Sequence, residues 1–244
     1  MNVLYILCDI IIGADIHGSA YIFEYSYNLA TNIFKLNETA KLTPTTNTTG
    51  WRFGTSVAIS DNTTVIGAPS DGNFGGAYIF EKIENEWQQV SKLAPSDSSD
   101  STITTSGFGA SVAIGYGIFN SNLNSNKFII VGSNNGGAYI FEKSISTSSP
   151  ATSKWIQGSK ITGWPLPLDT NPSAGHFGNA ISISGNSIVF GAYSWSCIFM
   201  MNTYDYGIDN KNDIFAESTL LNLSNLAAVI AIPDLLTPGI RERI

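Results

Sequence analysis

The chain has 244 residues, of which 43% are hydrophobic and 13% are charged, so it has the composition of a folded protein with a sizeable core. Its formal net charge is −7 and its Lys and Arg residues form no cluster, so no nucleic-acid-binding surface is expected. No apolar run approaches the ~20 residues of a membrane-spanning helix, so no membrane span is expected.

The first predicted elements lie in the apolar N-terminal stretch VLYILCDIIIGAD, which begins at Val3. No basic region precedes this stretch and Asp9 interrupts it, so short strands account for it better than a signal peptide does. GSAYIFE and LNETAKL follow it and complete a first unit near residues 3–42. Cys8 and Cys197 are too few for a disulfide framework, and both are predicted to be free and packed.

The second unit, near residues 52–94, has the most complete pattern. Four short strand-like runs make up this unit: Val57–Ser60, Thr64–Ala68, Ala77–Glu81 and Trp87–Leu93. Apolar residues in these runs recur at every second position, which is typical of strands rather than helices. The dipeptide Asp61-Asn62 between the first two runs favours a tight hairpin turn. The last run is the most polar, as is typical of an outer edge strand.

The third and fourth units, near residues 107–162 and 176–221, repeat the same blocks in the same order. The phrase GGAYIFEK occurs twice without change. Its alignment gives spacings of 57, 61 and 59 residues between equivalent positions of the four units: Ala20, Ala77, Ala138 and Cys197. A period near sixty with four strands in each unit predicts stacked four-stranded sheets, as in a β-propeller. One sheet cannot bury both of its faces, so its neighbours must cover them.

The repeated blocks resemble the FG-GAP repeat, which builds the β-propeller head of integrin α subunits. The resemblance lies in FGTSVAIS from Phe53, NTTVIGAP from Asn62, GAYIFE from Gly76 and WQQVSKL from Trp87. It extends over about four units, roughly residues 3–221, and is closest to the calcium-free variety of the repeat.

The resemblance implies an all-β fold, a propeller-like array of about four four-stranded blades. Integrin-type propellers close with seven blades, so a partial propeller is expected here. Residues 222–244 are interpreted as a degenerate repeat or as a tail that caps an end face through Leu226–Ile232. Self-association at micromolar concentration is predicted to complete the ring. A fragment, a truncated gene, a small four-bladed ring and half of a larger closed oligomer remain open as alternatives.

Calcium binding is not expected. The metal-binding form of the repeat joins its first two strands by a loop rich in aspartate. Here that connection is only Asp61-Asn62 or Gly185-Asn186, which is too short to wrap an ion. The insertion in the third unit, Asn120–Asn126, has the alternate spacing of a ligand loop but no carboxylate. No metal site, no cofactor and no calcium-dependent stability are therefore predicted.

The sequence has no motif of a hydrolase nucleophile, a zinc protease or a phosphate-binding loop, so the protein is predicted not to be an enzyme. Glutamate recurs at the end of the third strand, which favours a structural role, either paired with Lys82 and Lys143 or facing solvent. These glutamates are Glu24, Glu81 and Glu142. Asp97 lies in a Ser-rich segment that is predicted to be a solvated inter-blade loop.

The connection between the second and third strands differs most between units, and binding residues tend to lie on loops held by a rigid scaffold. The candidate ligand-binding residues lie in these connections or in the loops that join the blades: Trp51, Asp71, Asn73, Phe74, Trp164, Tyr193 and Trp195. Exposed aromatic rings there would anchor a ligand. The alternative is that these rings fill the gaps between blades.

Three functional interpretations follow. The resemblance implies a non-catalytic, adhesion-type module that presents variable loops to a protein or glycan ligand, outside the cell or at its surface. A partial or degenerate repeat array without independent activity is the main alternative. The third is a propeller enzyme that works at a central channel, because a fold alone does not define a function.

Overall fold

The computed structural model describes residues 5–46, 51–97, 107–116, 127–134, 137–145, 153–161, 177–184, 187–192, 197–202 and 219–222, and the structural statements below concern these residues. Their regular structure consists of fifteen β-strands and one short 3-10 turn, Asp15–His17. The predicted all-β fold is confirmed. No helix in the described ranges is long and apolar enough to cross a membrane.

The strands form four antiparallel sheets, each made of consecutive strands. The first sheet contains β1 (Tyr5–Ala14), β2 (Ser19–Asn28) and β3 (Ile33–Leu42). The second contains β4 (Ser56–Ser60), β5 (Thr63–Ala68), β6 (Gly76–Ile83) and β7 (Glu86–Leu93). The third contains β8 (Ser111–Tyr116), β9 (Lys127–Ser133), β10 (Gly137–Ile145) and β11 (Ser153–Ile161). The fourth contains β12 (Phe177–Ser184), β13 (Ser187–Ala192), β14 (Cys197–Asn202) and β15 (Thr219–Asn222).

The second sheet follows the predicted strand pattern closely. Its first two strands pair up to Ser60 and Thr63, so Asp61 and Asn62 alone form the turn, with Asp61 at a φ of 48°. The polar strand β7 lies at the outer edge of the sheet, as predicted. The first strands of the second, third and fourth sheets, β4, β8 and β12, contact one another. This is the arrangement of propeller blades, whose first strands lie innermost.

The first sheet differs from the other three because only three strands are present in its described residues. Leu7 and Cys8 stand where the second unit has Asp61 and Asn62. Neither residue favours a turn, so β1 continues as one strand and pairs with β2 along its whole length. Cys8 is free, as predicted, but the prediction that it is packed is wrong, because it lies exposed on this uncovered strand.

Alternate residues of β6 enter two different cores, as the period of two predicted. Tyr78 and Phe80 are buried in a core shared with Ile22 of the first sheet. Ile79 is buried in a core shared with Val131 of the third sheet. A third core of the same kind joins the third and fourth sheets. Full burial of one such side chain contributes ~1.5–3 kcal/mol, so the sheets are held together mainly by their apolar faces.

The backbones of successive sheets meet at paired glycines. The glycine of each second strand faces the Phe-Gly glycine of the next unit: Gly13 with Gly54, Gly67 with Gly109, and Gly132 with Gly178. A Cβ on the first member of any pair would overlap the carbonyl oxygen of the second. Gly54 and Gly109 also have φ values of +98° and +93°, which other residues rarely adopt. The Ser56 hydroxyl donates a hydrogen bond across this contact to the Gly109 carbonyl oxygen at 2.8 Å.

The phenylalanine of the Phe-Gly pair packs on the aromatic residues of its own sheet. Phe53 meets Tyr78 edge-on at a ring-centroid distance of 5.4 Å and Phe80 at 6.2 Å. Phe108 meets Tyr139 in the same way at 5.3 Å. Aromatic pairs of this geometry contribute about 0.5–1.5 kcal/mol beyond their burial. The Phe-Gly pair therefore fills the core with its ring and permits close backbone approach with its glycine.

Candidate functional site

The candidate site lies at the corner where β5 turns into β6. The Asp71 N–H donates to the Ala68 carbonyl oxygen and the Gly75 N–H donates to the Asp71 carbonyl oxygen, both at 3.0 Å. These bonds close the loop around Asp71, which is buried. Asn73 is exposed at the tip of the loop and Phe74 is half-buried. The loop is thus a fixed turn that presents the Asn73 side chain outward at its tip.

The Asp71 carboxylate is a buried acceptor with two strong partners. It accepts a hydrogen bond from the Tyr78 hydroxyl at 2.7 Å and forms an ion pair with Lys92 at 2.7 Å. A Cβ on Gly76 would lie 2.5 Å from the carboxylate oxygen, so glycine leaves the space that Asp71 occupies. Because the side chain is buried and its Oδ2 atom contacts both partners, Asp71 organises the corner rather than facing a ligand directly.

Lys92 connects Asp71 to Trp51. The Lys92 ammonium nitrogen lies 5.2 Å from the centroid of the Trp51 ring and 5.5 Å from that of Tyr78. Trp51 is half-buried and packs against the core between the first and second sheets, so it partly fills the gap between blades. The Lys92 side chain is 45% exposed, which leaves a cation and part of an indole ring accessible together. Trp51 and Asp71 are separate candidates in the sequence, and Lys92, which sequence analysis missed, contacts both of them.

The Tyr78 hydroxyl donates its proton to Asp71 at this corner and also has a hydrogen bond with the Thr46 side chain. Its burial is the main cause that raises its pKa far above the usual value, and the hydrogen bond and charge of Asp71 raise it further. Tyr78 therefore remains protonated at any physiological pH. The arrangement Tyr78–Asp71–Lys92 is suited to holding a loop and contains no base or nucleophile poised for reaction.

The backbone of Phe74 contacts the third sheet directly. Its carbonyl oxygen accepts a hydrogen bond from the Phe108 N–H at 2.9 Å, and Gly75 forms a parallel bridge with Phe108. The side chain of Phe74 takes no part in this bond. The candidate loop is consequently anchored on both sides, by Asp71 to its own sheet and by Phe74 to the next one.

A second cluster of the same composition occurs in the third sheet. Asp97 forms an ion pair with Lys160 at 2.5 Å and accepts a hydrogen bond from the Tyr139 hydroxyl at 3.1 Å. Burial and Asp97 raise the Tyr139 pKa well above its usual value. In the first sheet Lys41 lies over Tyr21 at 5.5 Å. The prediction that Asp97 is solvated is wrong, because its half-buried side chain contacts Tyr139 and Lys160 of the next sheet.

Each of these lysine–tyrosine pairs could have been found in the sequence. The tyrosine is always that of GAYIF or SAYIF, and the lysine is always the last polar residue of the fourth strand, before Leu42, Leu93 or Ile161. Equivalent positions in neighbouring strands face each other across a sheet. The acidic partner of each pair, Asp71 or Asp97, lies in a connection that differs between units, so the repeat pattern could not predict it.

The linkers between sheets are held by a glutamine of the following sheet. The Thr45 N–H donates to the Gln89 side-chain oxygen at 3.0 Å, and the Ser96 N–H donates to that of Gln157 at 2.9 Å. The Gln157 amide also donates to the Ser96 hydroxyl at 2.8 Å. The two glutamines occupy the same position in W-x-Q of the fourth strand. This linker clasp repeats from one sheet to the next.

The recurring glutamates have different partners in different sheets. Glu81 pairs with Lys143 of the next unit at 2.8 Å and accepts a hydrogen bond from the Trp155 indole N–H at 3.3 Å, so the predicted pairing is confirmed for Lys143, whereas Lys82 lies 3.9 Å from Asp9 instead. Glu142 occupies the same repeat position but is 4% exposed, and one of its carboxylate oxygens has no hydrogen-bond partner. Burial raises the pKa of Glu142.

Three of the predicted ligand-binding residues, Trp164, Tyr193 and Trp195, lie outside the described residues, as does the Asn120–Asn126 insertion. The remaining four candidates all belong to the one corner around β5 and β6: Trp51, Asp71, Asn73 and Phe74. Within the described ranges no group of three or more His, Cys, Asp or Glu side chains is placed to hold a metal ion.

Antiparallel sheets stacked in chain order, with a seam of glycines and phenylalanines between them, define a β-propeller-like repeat protein. The sequence model of the FG-GAP repeat matches residues 36–80, which run from β3 to β6. The chain therefore contains an FG-GAP repeat, and the resemblance to this repeat is confirmed.

The remaining comparisons concern whole chains. A search of curated proteins gave no match. Among solved structures, the chain is similar to a Bacteroides uniformis protein provisionally named a 6-phosphogluconolactonase, with 12% sequence identity and a TM-score of 0.43. The match covers 87% of this chain and 53% of that protein, so the chain spans about half of its length.

Proposed function

We propose that the protein is a non-catalytic binding module of the adhesion type, displayed outside the cell or at its surface, which presents loops to a protein or glycan ligand. The observation that carries the proposal is the corner formed by Trp51, Asn73 and Lys92. The partly exposed Lys92 ammonium lies 5.2 Å from the centroid of the Trp51 ring, and the exposed Asn73 amide is in the anchored turn that carries Asp71, the ion-pair partner of Lys92.

The chemistry of this corner suits a ligand with apolar faces and hydroxyl or carbonyl groups. A half-exposed indole offers a flat surface for a sugar ring or an apolar side chain. The Asn73 amide both donates and accepts hydrogen bonds. The ion pair of Lys92 with Asp71 keeps the local charge near neutral, which favours an uncharged ligand over a phosphate or a polycation.

The proposal is tested by binding of the labelled full chain to arrays of glycans and of extracellular-matrix proteins. The double variant Asn73→Ala/Phe74→Ala should lose at least tenfold in affinity at an unchanged melting temperature, because both side chains lie outside the cores. Phe34→Ala is the matched control, since Phe34 is 69% exposed on the first sheet, far from this corner. Equal binding by the double variant and the wild type would exclude this corner as the site.

A partial repeat array without independent activity is the second candidate. It is favoured by the fourth unit, in which Ile198 and Leu220 stand at the positions of the tyrosine and lysine of the other units. A repeat protein without independent activity would show no saturable binding to the glycans or to the matrix proteins. An enzyme is the least supported class, because Asp71 and Asp97 form ion pairs that repeat between sheets and Glu81 is paired with Lys143.

A further inference from the structure

The first sheet has an apolar face that no described residue covers. Ile10 and Ile12 on β1 are 38% and 49% exposed, and Tyr21 and Phe23 on β2 are half-buried. Ile12 pairs with Tyr21 and Ile10 pairs with Phe23, so the four side chains lie on one side of the sheet. Scattered exposed apolar residues are normal, but a contiguous patch of this kind marks an interaction surface.

The equivalent positions in the next two sheets are fully covered. Ile66 and Tyr78, which correspond to Ile12 and Tyr21, are 0% and 1% exposed. Val131 and Tyr139 in the third sheet are both 0% exposed. The same face of the repeat is therefore built to be buried, and only its copy in the first sheet is open.

In the second sheet the neighbouring sheet and Phe53 cover this face, while the first strand pairs with the edge of the second strand. β4 pairs with β5 from Ser56↔Gly67 to Ser60↔Thr63, and Phe53 just before it packs on Tyr78 and Phe80. The first sheet has no counterpart of β4 among the described residues. The inner edge of β1, from Asp9 to Gly13, is consequently unpaired there, and the rings of Tyr21 and Phe23 lack a packing phenylalanine.

We propose that the inner edge of β1, together with the rings of Tyr21 and Phe23, is an acceptor site for an extended segment of a separate polypeptide that carries Phe-Gly followed by an alternating apolar strand. Main-chain hydrogen bonds to residues 9–13 supply affinity, as in other cases of strand addition. The phenylalanine of the segment fills the place that Phe53 fills in the second sheet.

The sister sheets define the chemistry of the segment. In the second sheet the Gly54 N–H donates to the Gly67 carbonyl oxygen at 3.0 Å, and Gly54 has a φ of +98°. The incoming glycine would donate in the same way to the carbonyl oxygen of Gly13. A residue with a side chain rarely adopts that φ, so the site selects for glycine directly after the phenylalanine.

The chain itself offers no free segment of this kind among its described strands. β4, β8 and β12 are each paired with the second strand of their own sheet. The apolar tail Leu226–Ile232 contains neither phenylalanine nor glycine. A second folded copy has the same strands equally engaged. No described strand is therefore free to occupy the site, and the proposal takes a separate polypeptide as the occupant.

The test is fluorescence anisotropy with a labelled peptide of sequence FGTSVAIS, which is residues 53–60, titrated with the full-length chain. Saturable binding is expected, and Ile12→Lys should weaken it at least tenfold. Ile83→Lys is the matched control, because Ile83 is also exposed, at 42%, but lies at the end of β6 in the second sheet. A peptide with alanine in place of phenylalanine should bind at least tenfold more weakly, which tests the site even if Ile12→Lys impairs folding.

Absence of saturable binding to the full chain overturns the proposal, whether the site is empty or already filled by the tail. Equal binding by the wild type and Ile12→Lys overturns it as well. Light scattering provides a further test. A dimer that the peptide does not dissociate would mean that a second copy of the chain covers this face. A separate peptide segment would then not be the occupant.

Discussion

Glu142 has a carboxylate oxygen that is buried without a hydrogen-bond partner. Its counterpart Glu81 is satisfied by Lys143 and Trp155 of the next unit. At those two positions the fourth unit has Asn202 and Phe215, so it supplies neither an ammonium nor an indole N–H. The missing partners therefore trace to two substitutions in the repeat, and an unpaired buried carboxylate of this kind is destabilising.

We predict that Glu142→Gln stabilises the protein at neutral pH. The pKa of Glu142 is raised in the folded state, so the stability linked to it is complete below its unfolded value, near 4.5, and is lost as the pH rises through the folded value. Glutamine carries no charge at any pH. The variant should gain about 1–2 kcal/mol in the free energy of unfolding at neutral pH and nothing below the unfolded pKa, as measured by chemical denaturation at both pH values.

Glu81→Gln is the matched variant, and we predict the opposite result. It removes the 2.8 Å ion pair with Lys143 from the same repeat position, so the free energy of unfolding should fall by about 1 kcal/mol at neutral pH. Denaturation curves of the two variants should lie on opposite sides of the wild type. Displacement of both curves to the same side would contradict the role assigned to the missing partners of Glu142.

At the scale of single elements, the linker clasp can be tested at one amide. Gln157→Ala removes the acceptor of the Ser96 N–H, so hydrogen exchange at Ser96 should become about tenfold faster. Gln88→Ala is the control, because Gln88 is exposed on β7 next to the clasp glutamine Gln89. Unchanged exchange at Ser96 in the Gln157 variant would mean that the linker is held by other contacts, such as that of Asp97 with Lys160.

The sequence predicted those elements whose formation depends on residues close to them in the chain. The turn at Asp61-Asn62, the two-faced strand around Tyr78 and the polar edge strand all follow from the period of two and from turn chemistry. The position of Asp97 could not be predicted, because its partners Tyr139 and Lys160 lie 42 and 63 residues further along the chain. The exposure of Cys8 was missed for a related reason, since burial of a strand depends on what covers it and not on its own residues.

At the scale of the whole molecule, the paired glycines control how the sheets stack. We predict that Gly67→Ala costs about 3 kcal/mol or more, because a Cβ would overlap the carbonyl of Gly109 and neither backbone can move without separating two sheets. Gly158→Ala is the control, since its Cβ would lie 3.9 Å from the nearest atom, the Ile140 carbonyl oxygen. Calorimetry should detect a lower melting temperature for the first variant only.

The same calorimetric experiment has a second expected outcome. In a stack of sheets each one is stabilised by its neighbours, so a weakened contact between the second and third sheets should divide unfolding into two transitions. A single transition at the wild-type temperature in Gly67→Ala would contradict the role of this glycine pair.

The backbone contact at these glycines also bears on how such a chain can grow. A joint made of main-chain atoms places no demand on the side chains that the two units carry elsewhere, although side-chain pairs such as Glu81 with Lys143 also connect neighbouring units. A duplicated gene segment would therefore fit at once between two existing blades, without compensating mutations at the joint. The identical GGAYIFEK in two units of one protein is what such a duplication would leave.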